Sequence, residues 1–487
     1  MACTTLLVGK NASLSGSTMI ARNEDSGSGS YCAKKMRTVQ PDEQPSVYKS
    51  VLSHCTIPLP DDPLRYTCMP NALPHEGVWG AAGVNQANVA MTATETLTSN
   101  ARVLGADPLV RYVSATKDQP EVIGGIGEED IVTLTLPYIH SAREGVMRLG
   151  MLHEKYGTYE MNGIAFQDID EIWWFETVGG HHWIARRVPD DVYVVMPNQL
   201  GIDFFDLKDA LNQGKEYLCS KDLKEFIEKN HLDVLDNDTF NPRHAFGSHS
   251  DADHVYNTPR AWYMCRYFNP HTFSWDGCHA DYTPEADNLP WSLKPERKIS
   301  VEDVKYILSS HYQGTPYNPY AKSGDQRGKY RSIGINRNNF LSLSEIRPDM
   351  PQEMQAIEWV AFGSNVFNAF VPLYANIDHV PAYFTNTTGL VTTDNFYWAN
   401  RIIGALADAH YDHCRQHIER YQETVNAKAR EIIHRFDSLY LSDHILKTEE
   451  ANQEIEQMIR EETQKVLDKV LKTASDHMRN AYARSDA

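Results

Sequence analysis

Short apolar runs separated by turn residues predict a chain that is rich in β-strands and ends in long helices. Near the start, two β-prone runs at 4–8 and 18–21 flank a polar segment at 10–17, which predicts a hairpin. Further runs at 78–84 and 89–96 predict a second hairpin. Because the next strand-like runs also follow one another through short turns, an antiparallel sheet is favoured. These runs lie at 172–176, 182–188 and 192–196, and the late ones at 331–335, 357–361 and 369–373.

Apolar residues spaced three or four apart predict the helical part of the chain. They occur within 107–156 and in two long segments at about 395–436 and 447–482. Ser300 is the expected N-cap of a short helix at 301–311. A length of 487 residues suits one large body with additions. We therefore predict a main domain at 1–394, with an insertion at about 276–330, and a helical extension at 395–487 packed on the same body.

The balance of charged residues limits the kinds of partner that the protein is expected to bind. Lys and Arg number 46 against 65 Asp and Glu, a formal net charge of -19. Such acidity argues against nucleic acid or an anionic membrane as a partner. The sequence contains no uninterrupted run of about 18 apolar residues, so no membrane-spanning helix is predicted. The amphipathic carboxyl-terminal helices, which mix both charge signs, predict a cover for the body or a contact in a homo-oligomer.

The cysteines and the start of the chain indicate the cellular compartment in which the protein is expected. No basic segment followed by an apolar core opens the sequence, so a secretory signal is not expected. The eight cysteines form no CxxC pair and no zinc-ligand spacing. We predict reduced thiols in a cytoplasmic protein.

Neither a metal nor a cofactor is predicted. The adjacent His181 and His182 are expected on opposite faces of a strand, where they cannot share an ion. A second His and Asp cluster, NPRHAFGSHSDADHVY, has no recognised ligand spacing. The glycines at 124, 125 and 127 lack the lysine of a phosphate-binding loop.

Candidate chemistry is concentrated in the opening hairpin. If Cys3 lies opposite Arg22, the thiol and the guanidinium are neighbours, and a nearby cation lowers a thiol pKa from about 8.5 towards neutrality. Once Met1 and Ala2 are removed, the α-amine of Cys3, with a pKa of about 7.7 to 8.0, becomes the base for its own thiol. Asp25 is placed to accept a hydrogen bond from that amine. The alternative is an edge hairpin with a buried, inert cysteine.

The opening CTTLLVGK and GSTMIARNED resemble the dipeptidases of peptidase family C69, the bacterial dipeptidase A group. More distantly the chain is similar to the penicillin V acylase and bile salt hydrolase branch of the N-terminal nucleophile hydrolases. The likeness covers most of the chain. It includes GVNQANVAMTATET, EIWWFETVGGHHWIARRVPDD, MPNQLGI, YNTPRAW and IEWVAFGSNVFNAFVPLY.

The resemblance implies an α+β fold of four layers, αββα, with the carboxyl-terminal helices added. It also implies hydrolysis of dipeptides of broad specificity by the amino-terminal cysteine, with a small peptide as the substrate. Two alternatives remain open. One is a linear-amide acylase acting on a larger acyl group, and the other is a non-catalytic interaction protein like the secernins.

Further site residues come from the same resemblance. Asn198 is matched to a side-chain donor for the oxyanion, although an Asn after a Pro also simply ends a strand. Arg260 is matched to a second arginine beside the nucleophile, the alternative being a surface arginine. A backbone amide near Thr94 is implied as an oxyanion donor. Glu95 stands where the acylases carry an Asn; an ionised carboxylate cannot donate, so recognition of a substrate amine is its expected role.

Overall fold

The opening hairpin lies at the centre of the larger of the two main antiparallel sheets. The computed structural model describes residues 2–27, 30–235 and 239–478, with side chains except at positions 2, 74 and 93–95. The strands are β1 (Ala2–Val8), β2 (Thr18–Asp25), β3 (Arg37–Val39), β4 (Val47–Lys49), β5 (Thr56–Pro58), β6 (Tyr66–Cys68), β7 (Ala82–Val84), β8 (Ala90–Thr96), β9 (Asn162–Gln167), β10 (Ile172–Val178), β11 (His182–Val188), β12 (Tyr193–Met196), β13 (Tyr217–Cys219), β14 (Ser292–Leu293), β15 (Asn338–Ile346), β16 (Ala356–Phe362) and β17 (Val371–Tyr374).

Helices connect and cover these strands. They are α1 (Ala101–Ala106), α2 (Glu128–Thr135), α3 (Ala142–Tyr156), α4 (Leu207–Leu211), α5 (Leu223–Lys229), α6 (Pro242–Phe246), α7 (Asp253–Tyr256), α8 (Thr258–Phe268), α9 (Val301–Leu308), α10 (Ala382–Thr385), α11 (Phe396–Asp408), α12 (Tyr411–Asp443) and α13 (Thr448–Asp476). Ser300 caps α9 as predicted, because its side chain accepts the N–H of Asp303.

Within the described ranges the larger sheet has seven strands in the order β14-β12-β1-β2-β15-β16-β17, and a second sheet has six in the order β13-β11-β10-β9-β8-β7. Strands β3 with β6 and β4 with β5 form two small two-stranded sheets. Leu7 and Ile20 pack with Ala165 and Trp174 between the two sheets. Helices α2 and α3 cover the outer face of the smaller sheet. Helices α8, α9 and α11–α13 cover the outer face of the larger one. The α+β class is confirmed, and these contacts order the layers as helix, sheet, sheet, helix.

The last helix also covers the free edge of the larger sheet. The side chain of Asn452 in α13 accepts the N–H of Tyr374 at 2.9 Å and donates to its carbonyl at 3.0 Å. This pair satisfies backbone groups of β17 that an edge strand leaves open. Along the described ranges, no helix has both the length and the apolar character needed to cross a membrane.

Three predictions of secondary structure were wrong. Residues 107–127 are not helical, and the helix expected at 395–436 is interrupted at 409–410. Residues 331–335 form a loop, and the strand in this region is β15, with the sequence NNFLSLSEI. That strand is buried along its whole length despite its polar residues. Its polar side chains find partners inside the protein, which the local pattern does not reveal.

Candidate active site

Cys3 and Arg22 are neighbours on one face of the opening hairpin. The predicted register was wrong, because Thr5 lies opposite Arg22 and Cys3 opposite Glu24. The shift is two residues, an even number, so the side chains of Cys3 and Arg22 remain on the same face as a diagonal pair. Arg22 donates to the Cys3 Sγ from Nη2 at 2.9 Å and from Nε at 3.3 Å. Both residues are fully buried.

The guanidinium of Arg22 is held from its other side by two groups. Its Nη2 lies 2.6 Å from Glu128 Oε1, at the start of α2, and its Nη1 donates to the carbonyl of Ala81 at 3.1 Å. Burial alone lowers the pKa of Arg22, but interactions with Cys3, Glu128 and Glu24 raise it above its ordinary value. Arg22 therefore remains a cation beside the sulfur.

Residues that the sequence analysis missed complete this charged cluster. Glu24 accepts from Lys34 Nζ at 2.9 Å, and both side chains are fully buried. Lys34 also donates to the carbonyl of Trp79 at 3.2 Å. Trp79 and Ala81 adopt left-handed backbone conformations, with φ of 49° and 62°. These uncommon conformations occur where the segment presents its carbonyls to Lys34 and Arg22. The acidic run at the start of α2 was a visible signal, since acidic residues favour a helix N-terminus, but it did not indicate Arg22 as a partner.

Asn198 lies two residues after the end of β12 and contacts Cys3, the residue that carries the thiol. Its Oδ1 accepts the backbone N–H of Cys3 at 3.3 Å and Arg260 Nη2 at 2.7 Å. Because both partners are donors, the oxygen of the amide must face them. Its Nδ2 is buried and has no hydrogen-bond partner among the described residues. The arrangement leaves the NH₂ group of Asn198 as an oriented donor beside Cys3.

Arg260, in α8, holds this corner together. Its Nη1 donates to the carbonyl of Cys3 and, at 2.7 Å, to Thr4 Oγ1. Its Nη2 also donates to Asn257 Oδ1 at 2.6 Å. Arg260 is fully buried, so it is not a surface arginine. These hydrogen bonds connect Arg260 to the backbone of Cys3 and to the side chains of Thr4, Asn198 and Asn257.

Asp25 ends β2 and lies opposite Ala2, one position from Cys3 in the hairpin. Its carboxylate accepts from Arg331 Nη2 and Asn338 Nδ2, two residues that the sequence analysis did not single out. In this structure the Cys3 nitrogen is still a peptide amide bonded to Ala2, and its N–H donates to Asn198. The contact expected between Asp25 and the free Cys3 amine therefore stays a prediction. Arg331 lies in a loop and Asn338 in the polar strand β15, so no local sequence pattern indicated either of them as a partner of Asp25.

Thr94 and Glu95 lie in β8, which packs across the sheets against β1 and β2. Glu95 is opposite Gly163 after a bulge. The side chains of both residues lie outside the described part. The oxyanion donor near Thr94 and the role of Glu95 in substrate recognition stay predictions.

A cavity of about 490 Å³ adjoins Asn198. Its other lining residues are Thr96, Thr98, Ser248, Ser250, Ala252, Asp253, Tyr256 and Asn257. Such a volume is within the usual range for a small-molecule site. Cys3 lies behind Asn198 and is covered, with no exposed surface. The cavity therefore reaches the amide beside Cys3 rather than the sulfur itself.

The histidine pair behaves differently from the prediction. His181 belongs to the turn before β11, so it is not held to strand alternation. Both Nδ1 atoms contact the same Asp107 carboxylate, at 2.9 Å for His181 and 2.7 Å for His182. Burial raises the Asp107 pKa, but these hydrogen bonds outweigh it and bring that pKa to about 2. Among the described residues, no three His, Cys, Asp or Glu side chains are grouped to hold a metal ion.

A buried thiol beside a guanidinium, next to an oriented amide donor and a cavity, defines a candidate site for thiol chemistry on an acyl group. Comparison with known proteins shows the family of the chain. The family model described as peptidase family C69 matches residues 2–424. The chain is 54% identical to a "Dipeptidase" from Bifidobacterium longum, with both chains covered completely. It is 51% identical to a "Probable dipeptidase A" from Streptococcus pyogenes serotype M3, again over both full lengths.

A "Dipeptidase A" from Lactobacillus helveticus is 46% identical, over 89% of this chain and 88% of that protein. The chain belongs to peptidase family C69. The resemblance stated from the sequence motifs is thereby confirmed.

Proposed function

We propose that this protein is a cysteine-type dipeptidase of broad specificity, which hydrolyses dipeptides with Cys3 as the nucleophile. The observation that carries the proposal is the contact of Arg22 with Cys3 Sγ at 2.9 Å. It lies next to Asn198 Nδ2, which has no hydrogen-bond partner among the described residues. The names of the relatives, which are dipeptidases, supply the substrate class.

The reaction begins after Met1 and Ala2 have been removed. The α-amine of Cys3 then accepts the thiol proton, and the Arg22 cation stabilises the thiolate. Asn198 Oδ1, which accepts the Cys3 N–H at 3.3 Å, holds that amine in place. Cys3 is covered while the residues before it are present, so their removal also opens the way for a dipeptide from the cavity beside Asn198 to the sulfur.

The thiolate forms a bond to the peptide carbonyl carbon, and the carbonyl electron pair moves to the oxygen. Asn198 Nδ2 and a backbone amide near Thr94 donate to this oxyanion. As the tetrahedral intermediate collapses, the C–N bond breaks and the Cys3 ammonium gives its proton to the leaving amine. Water, deprotonated by the same amine, then attacks the thioester carbonyl. The thiolate leaves, and the amino acid that was bound as the thioester is released. One water is consumed for each bond that is cleaved.

Cys3→Ala tests the proposal, with Cys278→Ala as the control, since Cys278 is an exposed thiol. Release of amino acids from a panel of dipeptides is measured for each purified variant. We expect Cys3→Ala to lower kcat/KM by about 1,000-fold or more and Cys278→Ala to leave it unchanged. Full activity of Cys3→Ala would refute the assignment.

Two further measurements separate the alternatives. Mass spectrometry of the purified protein reports whether Cys3 is the first residue, and an intact Met1 or Ala2 favours a non-catalytic role. Competition between dipeptides and acylated amino acids separates a dipeptidase from a linear-amide acylase. A cytoplasmic location, a homo-oligomeric state and the division of the chain at residue 394 stay predictions.

A further inference from the structure

A second cavity, of about 600 Å³, lies between α9 and α12 and shares no lining residue with the cavity beside Asn198. Phe367, Phe370 and Ile418 form apolar walls, and all three are otherwise buried. Tyr411, at the start of α12, adds an aromatic ring that stacks on Tyr320 at 4.0 Å between centroids. The volume and the aromatic lining are typical of sites for small organic molecules.

Lys305 is the cation built into this cavity. Its Nζ donates to Ser309 Oγ at 2.7 Å and to the carbonyl of Asn365 at 2.6 Å, two neutral acceptors. Within the described part of the chain, no carboxylate oxygen lies within 4.0 Å of this nitrogen. An ammonium has three N–H donors, so one is left for a partner that the described residues do not supply.

Two of the three glutamates that line the cavity around Lys305 form ion pairs with arginines. Glu302 pairs with Arg430 at 2.5 Å, and Glu419 pairs with Arg415 at 3.6 Å. Glu423, on the exposed side of α12, completes the acidic lining. Burial lowers the pKa of Lys305 to about 7, and an anion bound beside it would favour the charged form.

We propose that this cavity binds a small carboxylate with an apolar body. Its carboxylate accepts from Lys305 Nζ, and its body packs on Phe367, Phe370 and Ile418. Two kinds of molecule share this chemistry: simple hydrophobic acids, and free amino acids with apolar side chains, whose ammonium would face Glu423. The site is separate from Cys3, so the proposal does not depend on the proposed function.

The test is calorimetric titration of the full-length protein at pH 6.5 with phenylacetate, L-phenylalanine and phenethylamine. We expect both carboxylates to bind at one site and the amine, which has the same ring but no carboxylate, to bind at least tenfold more weakly. Tighter binding of L-phenylalanine than of phenylacetate would assign the site to amino acids, and the reverse to simple acids. Absence of binding by both carboxylates, or equal binding of phenethylamine, would overturn the proposal.

Lys305→Met is expected to weaken carboxylate binding by about 10- to 100-fold, the effect of losing one charged hydrogen bond. Lys469→Met, at an exposed position of α13, is the matched control and should bind as the unaltered protein does. Ala427→Trp places a bulky ring at the exposed rim of the cavity and should block binding without disturbing the core. Carboxylate binding that survives Lys305→Met and Ala427→Trp lies elsewhere, in the cavity beside Asn198 for example, and contradicts the assignment.

Proton uptake gives a second readout. The titratable groups facing Lys305 are Glu302 and Tyr306 of α9, His311 of the following loop, and Tyr411, Glu419 and Glu423 of α12, with the permanent cation Arg415. At pH 8, binding of phenylacetate should take up close to one proton, seen as a dependence of the binding heat on the buffer. Lys305→Met should abolish that uptake. Equal uptake by the variant would assign the proton to another of these groups and count against Lys305.

Discussion

Asn198 accepts the backbone N–H of Cys3 through Oδ1 at 3.3 Å, while its Nδ2 has no partner among the described residues. Arg260 Nη2, at 2.7 Å from the same Oδ1, fixes the direction of the amide. One side chain therefore joins the residue that carries the thiol to an unused donor. In the proposed mechanism it both holds the Cys3 amine and stabilises the oxyanion.

Asn198→Asp separates these two functions, because it keeps an acceptor for Cys3 and removes the N–H donor. We expect kcat for dipeptide hydrolysis to fall by about 100- to 1,000-fold, as for the loss of other oxyanion donors, with little change in KM. Asn212→Asp, at an exposed position that ends α4, is the control. A loss of less than about threefold would exclude Asn198 as an oxyanion donor.

Arg22 is expected to lower the Cys3 thiol pKa. Removing it alone would leave Glu128 buried without its cation, which is strongly destabilising, so the test is the double variant Arg22→Gln/Glu128→Gln. We expect the pH midpoint for alkylation of Cys3 by iodoacetamide, followed by mass spectrometry, to rise by about one unit or more.

The matched control for this experiment is Arg435→Gln/Glu454→Gln. It removes a charge pair of the same kind, but one that is about half exposed and joins α12 to α13. Its alkylation midpoint should equal that of the unaltered protein. An unchanged midpoint in the Arg22 double variant would show that the guanidinium does not control the thiol.

Glu176 should make stability depend on pH. It is fully buried in β10, and burial raises its pKa from 4.5 to about 7 against the hydrogen bonds of Gly201, Trp174 and Ile202. Below pH 4.5 both folded and unfolded states are protonated. Between about pH 4.5 and 7 only the folded state keeps the Glu176 proton. The contribution of Glu176 to the free energy of unfolding therefore falls as the pH rises, and it levels off above about pH 7.

Glu176→Gln keeps an oxygen for those three donors and cannot ionise. Relative to the unaltered protein, we expect the free energy of unfolding of this variant to increase between pH 5 and pH 8, by up to about 3 kcal/mol. Chemical denaturation at several pH values measures the difference. Glu225→Gln, at an exposed position of α5, should show no such trend, and a flat difference for Glu176→Gln would contradict the assigned protonation.

Gly83 allows β7 to approach β6. A Cβ at this position would lie 1.8 Å from the carbonyl oxygen of Thr67, so backbone must move to admit it. We expect Gly83→Ala to lower the free energy of unfolding by about 3 kcal/mol or more. Gly105→Ala, in α1, meets no atom within 4 Å and should be stabilising by about 0.5 to 1 kcal/mol. Thermal unfolding of the two variants compares them, and similar midpoints would contradict the close approach.

Where sequence and structure disagree, long-range partners decide the outcome. β15 reads as polar, yet it is buried, because Asn338 contacts Asp25 and Asn339 contacts Glu24 across the sheet. The expected bond from the Cys3 amine to Asp25 follows from their nearness in the hairpin. Arg331, more than 300 residues further along the chain, donates to the same Asp25 carboxylate, and no local pattern indicates this partner.

The sequence by itself determined the opening hairpin, the shared face of Cys3 and Arg22, the capped helix after Ser300 and the long helices at the end. These follow from alternation, turn residues and caps, which act over a few residues. The family resemblance also implied that Asn198 and Arg260 lie near Cys3. Only the tertiary structure decided that Glu128 pairs with Arg22, and that a cavity forms beside Lys305. Such contacts depend on strand order, register and layer packing, and these are set by the burial of the whole chain rather than by any local pattern.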